Sequence, residues 1–143
     1  MNLSRETRLF CGVILVTVPT IMYGGVTLLG ILTKGIAGLD AGLALDETQW
    51  ALFRAGHAHA GVWVILSLLL QVLLDGATLS RGIRLLARIA APLGALLLPG
   101  GFFGLAFIPG FRLAVYLGAV SMAVAVLLTA AGLLRKAPGV TPD

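Results

Sequence analysis

Charged side chains are scarce in this chain, because only 11% of its 143 residues are Asp, Glu, Lys or Arg, whereas 59% are hydrophobic. A soluble domain carries about a quarter charged residues, so this balance excludes an ordinary soluble fold and indicates a membrane protein. The net charge of +4 comes from scattered basic residues near the ends of apolar runs, and no nucleic-acid motif accompanies them. A lipid bilayer is therefore the expected partner, and nucleic acid is not.

Side chains for several kinds of chemistry are also lacking. The single cysteine, Cys11, lies in an apolar run, which excludes a disulfide framework and favours inert packing. No acid lies deep in an apolar run, and no serine–histidine–acid arrangement is present, so paired-carboxylate hydrolysis and proton pumping have no support. Zinc, which takes three or four protein ligands, is disfavoured because its ligand types are few here.

Four apolar segments are long enough to cross a membrane, since a helical span needs about 20 mostly apolar residues. They cover residues 9–32, 50–74, 84–108 and 113–134, with a longer loop at 33–49 and short connections at 75–82 and 109–112. The pattern predicts an all-α fold. We expect one transmembrane domain over residues 1–143, packed as an integral membrane four-helix bundle.

The distribution of basic residues predicts how the bundle is oriented. With both termini in the cytoplasm, seven basic residues lie at cytoplasmic ends and three at outer ends, which favours N-in and C-in. The seven are Arg5, Arg8, Arg81, Arg84, Arg88, Arg135 and Lys136, and the three are Lys34, Arg54 and Arg112.

Three prolines, Pro19, Pro92 and Pro99, fall inside the first and third spans. Each removes a backbone donor and can bend its helix. Either they serve only packing and shape, or bends in these two spans open a cavity beside the second span.

The only two histidines, His57 and His59, lie in the segment "RAGHAHAG" at 54–61. Ionisable residues inside a membrane are costly and usually mark a functional site, although a histidine that only hydrogen-bonds a neighbouring helix is the alternative. Two residues along a helix correspond to about 200° of rotation, so the rings point to nearly opposite faces and cannot bind one metal ion. A haem needs only one axial histidine, and both are candidates.

The surroundings of the pair suit a flat macrocycle. Small residues, Gly56 and Gly61 among them, leave room against the helix. Arg54 lies one turn before His57 and is placed either to pair with a haem propionate or to act as an interfacial anchor. Four aromatic residues are either the apolar walls of a substrate pocket or simple core; they are Trp63, Phe102, Phe103 and Phe107.

Two stretches of the chain resemble styrene oxide isomerase, a small four-span bacterial membrane enzyme. They are "RAGHAHAG", which follows Trp50, and "IRLLARIAAPLGALLLPGGFFGLAF" at 83–107; the length and the loop pattern are also similar. The resemblance implies a homotrimer in the bacterial cytoplasmic membrane, with haem b at subunit interfaces. It implies isomerisation of a small aryl epoxide to an aldehyde, with ferric haem as Lewis acid. The matching ligand is His59, two residues before Gly61, and His57 stays a candidate because Gly61 lies on its own helical face.

The sequence departs from that family in two places. No asparagine follows the histidine by two turns, where Ile65, Leu66 and Ser67 stand, and a phenylalanine replaces the family's tyrosine in the third span. The resemblance therefore supports a haem site more strongly than it supports the family's catalytic activity. The alternatives are a non-enzymatic haem protein for redox or sensing, akin to the haem-ligating helix of haem-copper oxidases, and a structural membrane protein. The asparagine and glutamate of four-span glutathione-transferring proteins are absent, which argues against glutathione binding.

Overall fold

Four long helices make up the computed structural model, which describes residues 3–33 and 45–135 apart from the side chain of Leu32. They are α1 (Arg5–Leu32), α2 (Glu47–Gly76), α3 (Arg81–Leu105) and α4 (Arg112–Leu134), with a 3₁₀ turn at Pro109–Phe111. The described residues contain no strand, and all four helices are long and apolar enough to cross a membrane. The predicted all-α class is confirmed, and the four helices indicate a multi-pass membrane protein.

The orientation of the bundle stays a prediction. Lys34 and Lys136, which entered the charge count, lie outside the described residues.

Capping residues explain why the helices extend beyond the predicted spans. The Ser4 hydroxyl caps α1 by accepting a hydrogen bond from the third helical amide at 3.1 Å. In α2, Asp46 and Gln49 form a reciprocal capping box with distances of 2.8 and 3.0 Å. The first residues of α2 were predicted to be loop, and this box makes them helical. At the other end, α3 stops at Leu105, before the 3₁₀ turn, and not at residue 108 as predicted.

Helices α3 and α4 approach most closely because glycines remove side chains from their interface. A Cβ on Gly118 would lie 2.5 Å from the backbone nitrogen of Leu98, and one on Gly101 would lie 2.7 Å from that of Val115. Small residues allow such contact in membranes, where dispersion between helices replaces the hydrophobic effect as the attraction. This pair is the most closely packed of the bundle.

We expect Gly118→Ala to lower the free energy of unfolding by about 1–3 kcal/mol, because the added methyl group overpacks the α3–α4 interface. Equilibrium unfolding in mixed micelles measures the change. Gly12→Ala is the matched control, since a Cβ on Gly12 of α1 meets nothing within 4 Å. Equal stability of the two variants would contradict the close approach.

Helix α1 is attached differently from the other three. It packs against α2, and only 6% of its most apolar 18-residue window is buried. Its first turn reaches α3 through the side chain of Arg88, while further along its length a cleft separates it from α3. The core lies between α2, α3 and α4 with one contribution from α1; its buried members include Ile14, Val64, Leu70, Ala91, Ala95, Met122 and Ala125.

Candidate functional site

The two histidines lie on different sides of α2, as about 200° of rotation requires. The ring of His59 is next to Phe102 of α3, with centroids 5.2 Å apart, and next to Trp63, with centroids 6.1 Å apart. The ring of His57 faces α1 instead, where a Cβ on Gly25 would lie 3.0 Å from its Nε2. The two imidazoles therefore belong to separate sites.

A hydrogen bond within α2 orients the His59 ring. Its Nδ1 lies 2.7 Å from the carbonyl oxygen of Ala55, one turn earlier. With the proton on Nδ1 donated to that carbonyl, Nε2 keeps a free lone pair. Histidines that ligate metals almost always have their other nitrogen held in this way. This orientation of His59 is compatible with ligation through Nε2.

His57 lines a cleft of about 380 Å³ between α1, α2 and α3, which we call the α1–α3 cleft. A cavity beside the second span is therefore present; Pro92 and Pro99 line it, whereas Pro19 does not. A smaller cleft of about 270 Å³, between α1 and α2, is also lined by His57 and contains the predicted site residue Gly61. A Cβ on Gly61 would meet nothing within 4 Å, so there is open space beside it.

The four aromatic residues predicted to wall one pocket are divided among three places. Trp63 and Phe102 lie beside His59, and Phe103 lines the α1–α3 cleft with His57. Phe107 packs edge-on against Phe53 at 5.9 Å and is 56% exposed. The structure does not bring all four into a single pocket, because Phe102 and Phe103 face different sides of α3 and Phe107 lies beyond its end.

Two further residues near the histidines differ in how they fit a macrocycle. The expectation of free space at Gly56 was wrong, because the ring of Phe103 lies 3.0 Å from where its Cβ would be. Arg54 is exposed and takes part in none of the salt bridges among the described residues, so its guanidinium is accessible to an anionic group.

The two imidazoles of α2 that could ligate a metal each lie alone in a separate site. The part of the chain that the structure describes has no group of three or more His, Cys, Asp or Glu residues placed to hold a metal ion. A haem needs one imidazole and apolar walls, and this donor chemistry fits such a group at His59.

Sequence reasoning missed a buried polar cluster around Arg88, which is only 1% exposed. Its guanidinium donates to Asp75 at 2.6 Å, to the Thr7 hydroxyl at 2.8 Å and to the Gln71 side-chain oxygen at 3.2 Å. The carboxylate of Glu6 lies 3.4 Å from Nε, which has no aligned hydrogen bond. This Arg88 cluster joins α1, α2 and α3. The charge count had treated Arg88 as an end-of-span charge, and its spacing from buried Ala91 and Ala95 was the available signal of an inward-facing position.

A proline explains the second role of Gln71. Because Pro92 has no N–H, the carbonyl of Arg88, four residues earlier, loses its helical partner. The Gln71 amide replaces that partner by donating to the Arg88 carbonyl oxygen at 2.9 Å. In a membrane an unpaired carbonyl would be costly. The Gln71 side chain of α2 therefore supplies the hydrogen bond that Pro92 removes from α3.

We expect Gln71→Leu to destabilise the bundle by about 1–3 kcal/mol, because it leaves the Arg88 carbonyl without a donor. Adding Pro92→Ala restores the helical N–H and should recover part of that loss. The two single variants and the double variant form a cycle, measured by unfolding in mixed micelles. If the changes in the free energy of unfolding of the two single variants add exactly in the double variant, Gln71 does not replace the N–H that Pro92 lacks.

No protein-family model, no curated protein and no solved structure matches the chain.

Proposed function

We propose that this protein is a haem b-binding membrane protein and that Nε2 of His59 is the axial ligand. The observation that supports this is the hydrogen bond between Nδ1 of His59 and the Ala55 carbonyl. With the proton on Nδ1, this bond sets the ring orientation and leaves Nε2 available as a ligand atom. The resemblance to styrene oxide isomerase supports the same assignment.

The rest of the predicted setting is part of the proposal. His59 is half-buried beside aromatic rings, and Arg54 is exposed one turn before His57, where it is available to a propionate. The resemblance further supports a homotrimer, in which a second copy of the chain would complete the haem site. The basic residues favour both termini on the cytoplasmic side, and the resemblance supports a bacterial cytoplasmic membrane.

His57 is the weaker ligand candidate. None of the hydrogen bonds among the described residues involves its ring, so nothing holds its second nitrogen as Ala55 holds that of His59. In the α1–α3 cleft, residues of α1 and α3 surround His57. The ring of Phe103 already occupies the space over Gly56.

Haem-supplied expression followed by absorption spectroscopy of the purified protein tests the ligand. We expect a Soret band that is lost in His59→Ala and retained in His57→Ala, since the second variant changes the same residue type on the opposite face of the same helix. Imidazole added to His59→Gly should restore the band by occupying the vacated volume.

Three results would contradict the assignment. Loss of the band in His57→Ala alone would move the ligand to the cleft. Full haem content in both variants, or no Soret band in the wild-type protein, would remove histidine-ligated haem from the proposal.

We further propose that the haem protein isomerises small apolar epoxides to aldehydes. Ferric haem held by His59 would supply Lewis-acid chemistry toward the epoxide oxygen. The chain supplies the apolar surroundings: Phe102 and Trp63 beside His59 exclude water and place a ring by shape. Phe102 or Phe103 stands where the family has a tyrosine, so no phenol from α3 holds the substrate oxygen here.

Incubation of the ferric protein with styrene oxide should yield phenylacetaldehyde, detected by gas chromatography. His59→Ala should reduce the rate to that of the buffer, whereas His57→Ala should keep most of the activity. A haem-loaded wild-type protein that forms no aldehyde from styrene oxide or related epoxides would instead favour the non-enzymatic redox or sensor function.

A further inference from the structure

The α1–α3 cleft lies on the side of α2 away from His59. Residues 13–24 of α1 and 92–103 of α3 supply its walls, and His57, Ala60 and Val64 of α2 lie between them. The Arg88 cluster holds α1 and α3 together through the first turn of α1, and the cleft begins beyond it. Its volume of about 380 Å³ falls in the range of about 300–1,000 Å³ that small-molecule sites occupy.

Nearly all the polar groups in this lining are already paired. Thr17 donates to the Ile14 carbonyl at 2.7 Å, and Thr20 donates to the Thr17 carbonyl at 2.6 Å. His57 is the exception, because its ring has no hydrogen bond among the residues that the structure describes. A neutral imidazole carries one donor and one acceptor, so a bound molecule with a single oxygen can accept a hydrogen bond from its N–H.

The mouth of the cleft opens on the apolar outer surface. Leu96 at its edge is 67% exposed, and the glycines Gly24 and Gly100 on either wall are exposed as well. Around a membrane-spanning helix this surface faces acyl chains, so a ligand enters sideways from the bilayer. No charged residue lines the cleft, and burying an ion there would be costly, so the ligand is uncharged.

We propose that the α1–α3 cleft binds an uncharged, mostly apolar molecule from the bilayer, with its one oxygen accepting a hydrogen bond from the His57 N–H. This goes beyond the proposed haem function, because the cleft and His59 lie on opposite sides of α2. An acyl chain would fill the same volume but would leave the imidazole without a partner in an apolar setting, which disfavours it.

Photolabelling with benzophenone, an uncharged two-ring ketone, tests the site on the full chain in lipid nanodiscs. We expect saturable labelling of residues that line the cleft on α1 and α3, located by mass spectrometry. Gly24→Leu should abolish it, because a Cβ there points into open space and the larger side chain fills the cleft. Gly12→Leu, on the same helix and outside the cleft, should leave it unchanged.

Competition by 9-fluorenone and fluorene, which differ in one carbonyl oxygen, tests the role of His57. We expect fluorenone to compete about fivefold better in the wild-type protein, as one hydrogen bond allows, and the two to compete equally in His57→Leu. Labelling should persist in His59→Ala, which separates this site from haem binding.

Four results would overturn the proposal. Labelling spread evenly over the outward faces of α1 and α4, or equal labelling of Gly24→Leu and Gly12→Leu, would remove the site. The same preference for fluorenone in His57→Leu would remove the hydrogen bond. Loss of labelling in His59→Ala would mean that the cleft is not separate from the haem face.

Discussion

The buried guanidinium of Arg88 constrains how the first three helices meet. A charge in an apolar interior is tolerated only when acceptors surround it, and removing one partner of such a pair typically costs about 3–5 kcal/mol. Here α2 supplies Asp75 and Gln71, and α1 supplies Thr7 and Glu6. Since α1 otherwise buries little of its surface, this cluster fixes where α1 begins relative to α3.

A second constraint, the need to pair every backbone carbonyl in lipid, acts at the same place. The amide of Gln71 completes the α3 ladder at Pro92 while its oxygen accepts from Arg88. One side chain thereby sets the register of α2 against α3. His57 lies 14 residues earlier on α2, about 21 Å along the axis, so the cluster positions both histidine faces without touching either.

Much of the fold followed from the sequence, because long apolar runs in a chain with few charges have only helical solutions. The opposite directions of His57 and His59 also followed, since rotation along one helix is fixed. Which neighbour each face meets did not follow: the sequence gives no contact between helices, so Phe103 over Gly56 and the division of the aromatic residues were not foreseen. The burial of Arg88 was not predicted, because a charged residue near the end of a span has the same sequence pattern whether its side chain faces solvent or other helices.

The order of residues along the chain has a consequence for how the Arg88 cluster is made. All its acceptors precede the arginine: Glu6 and Thr7 belong to the first helix, and Gln71 and Asp75 to the second. Since a chain is synthesised from its N-terminus, both helices have left the ribosome before residue 88 does. The cation therefore enters the membrane after the groups that neutralise it, and the nascent protein never carries that charge without a partner already synthesised.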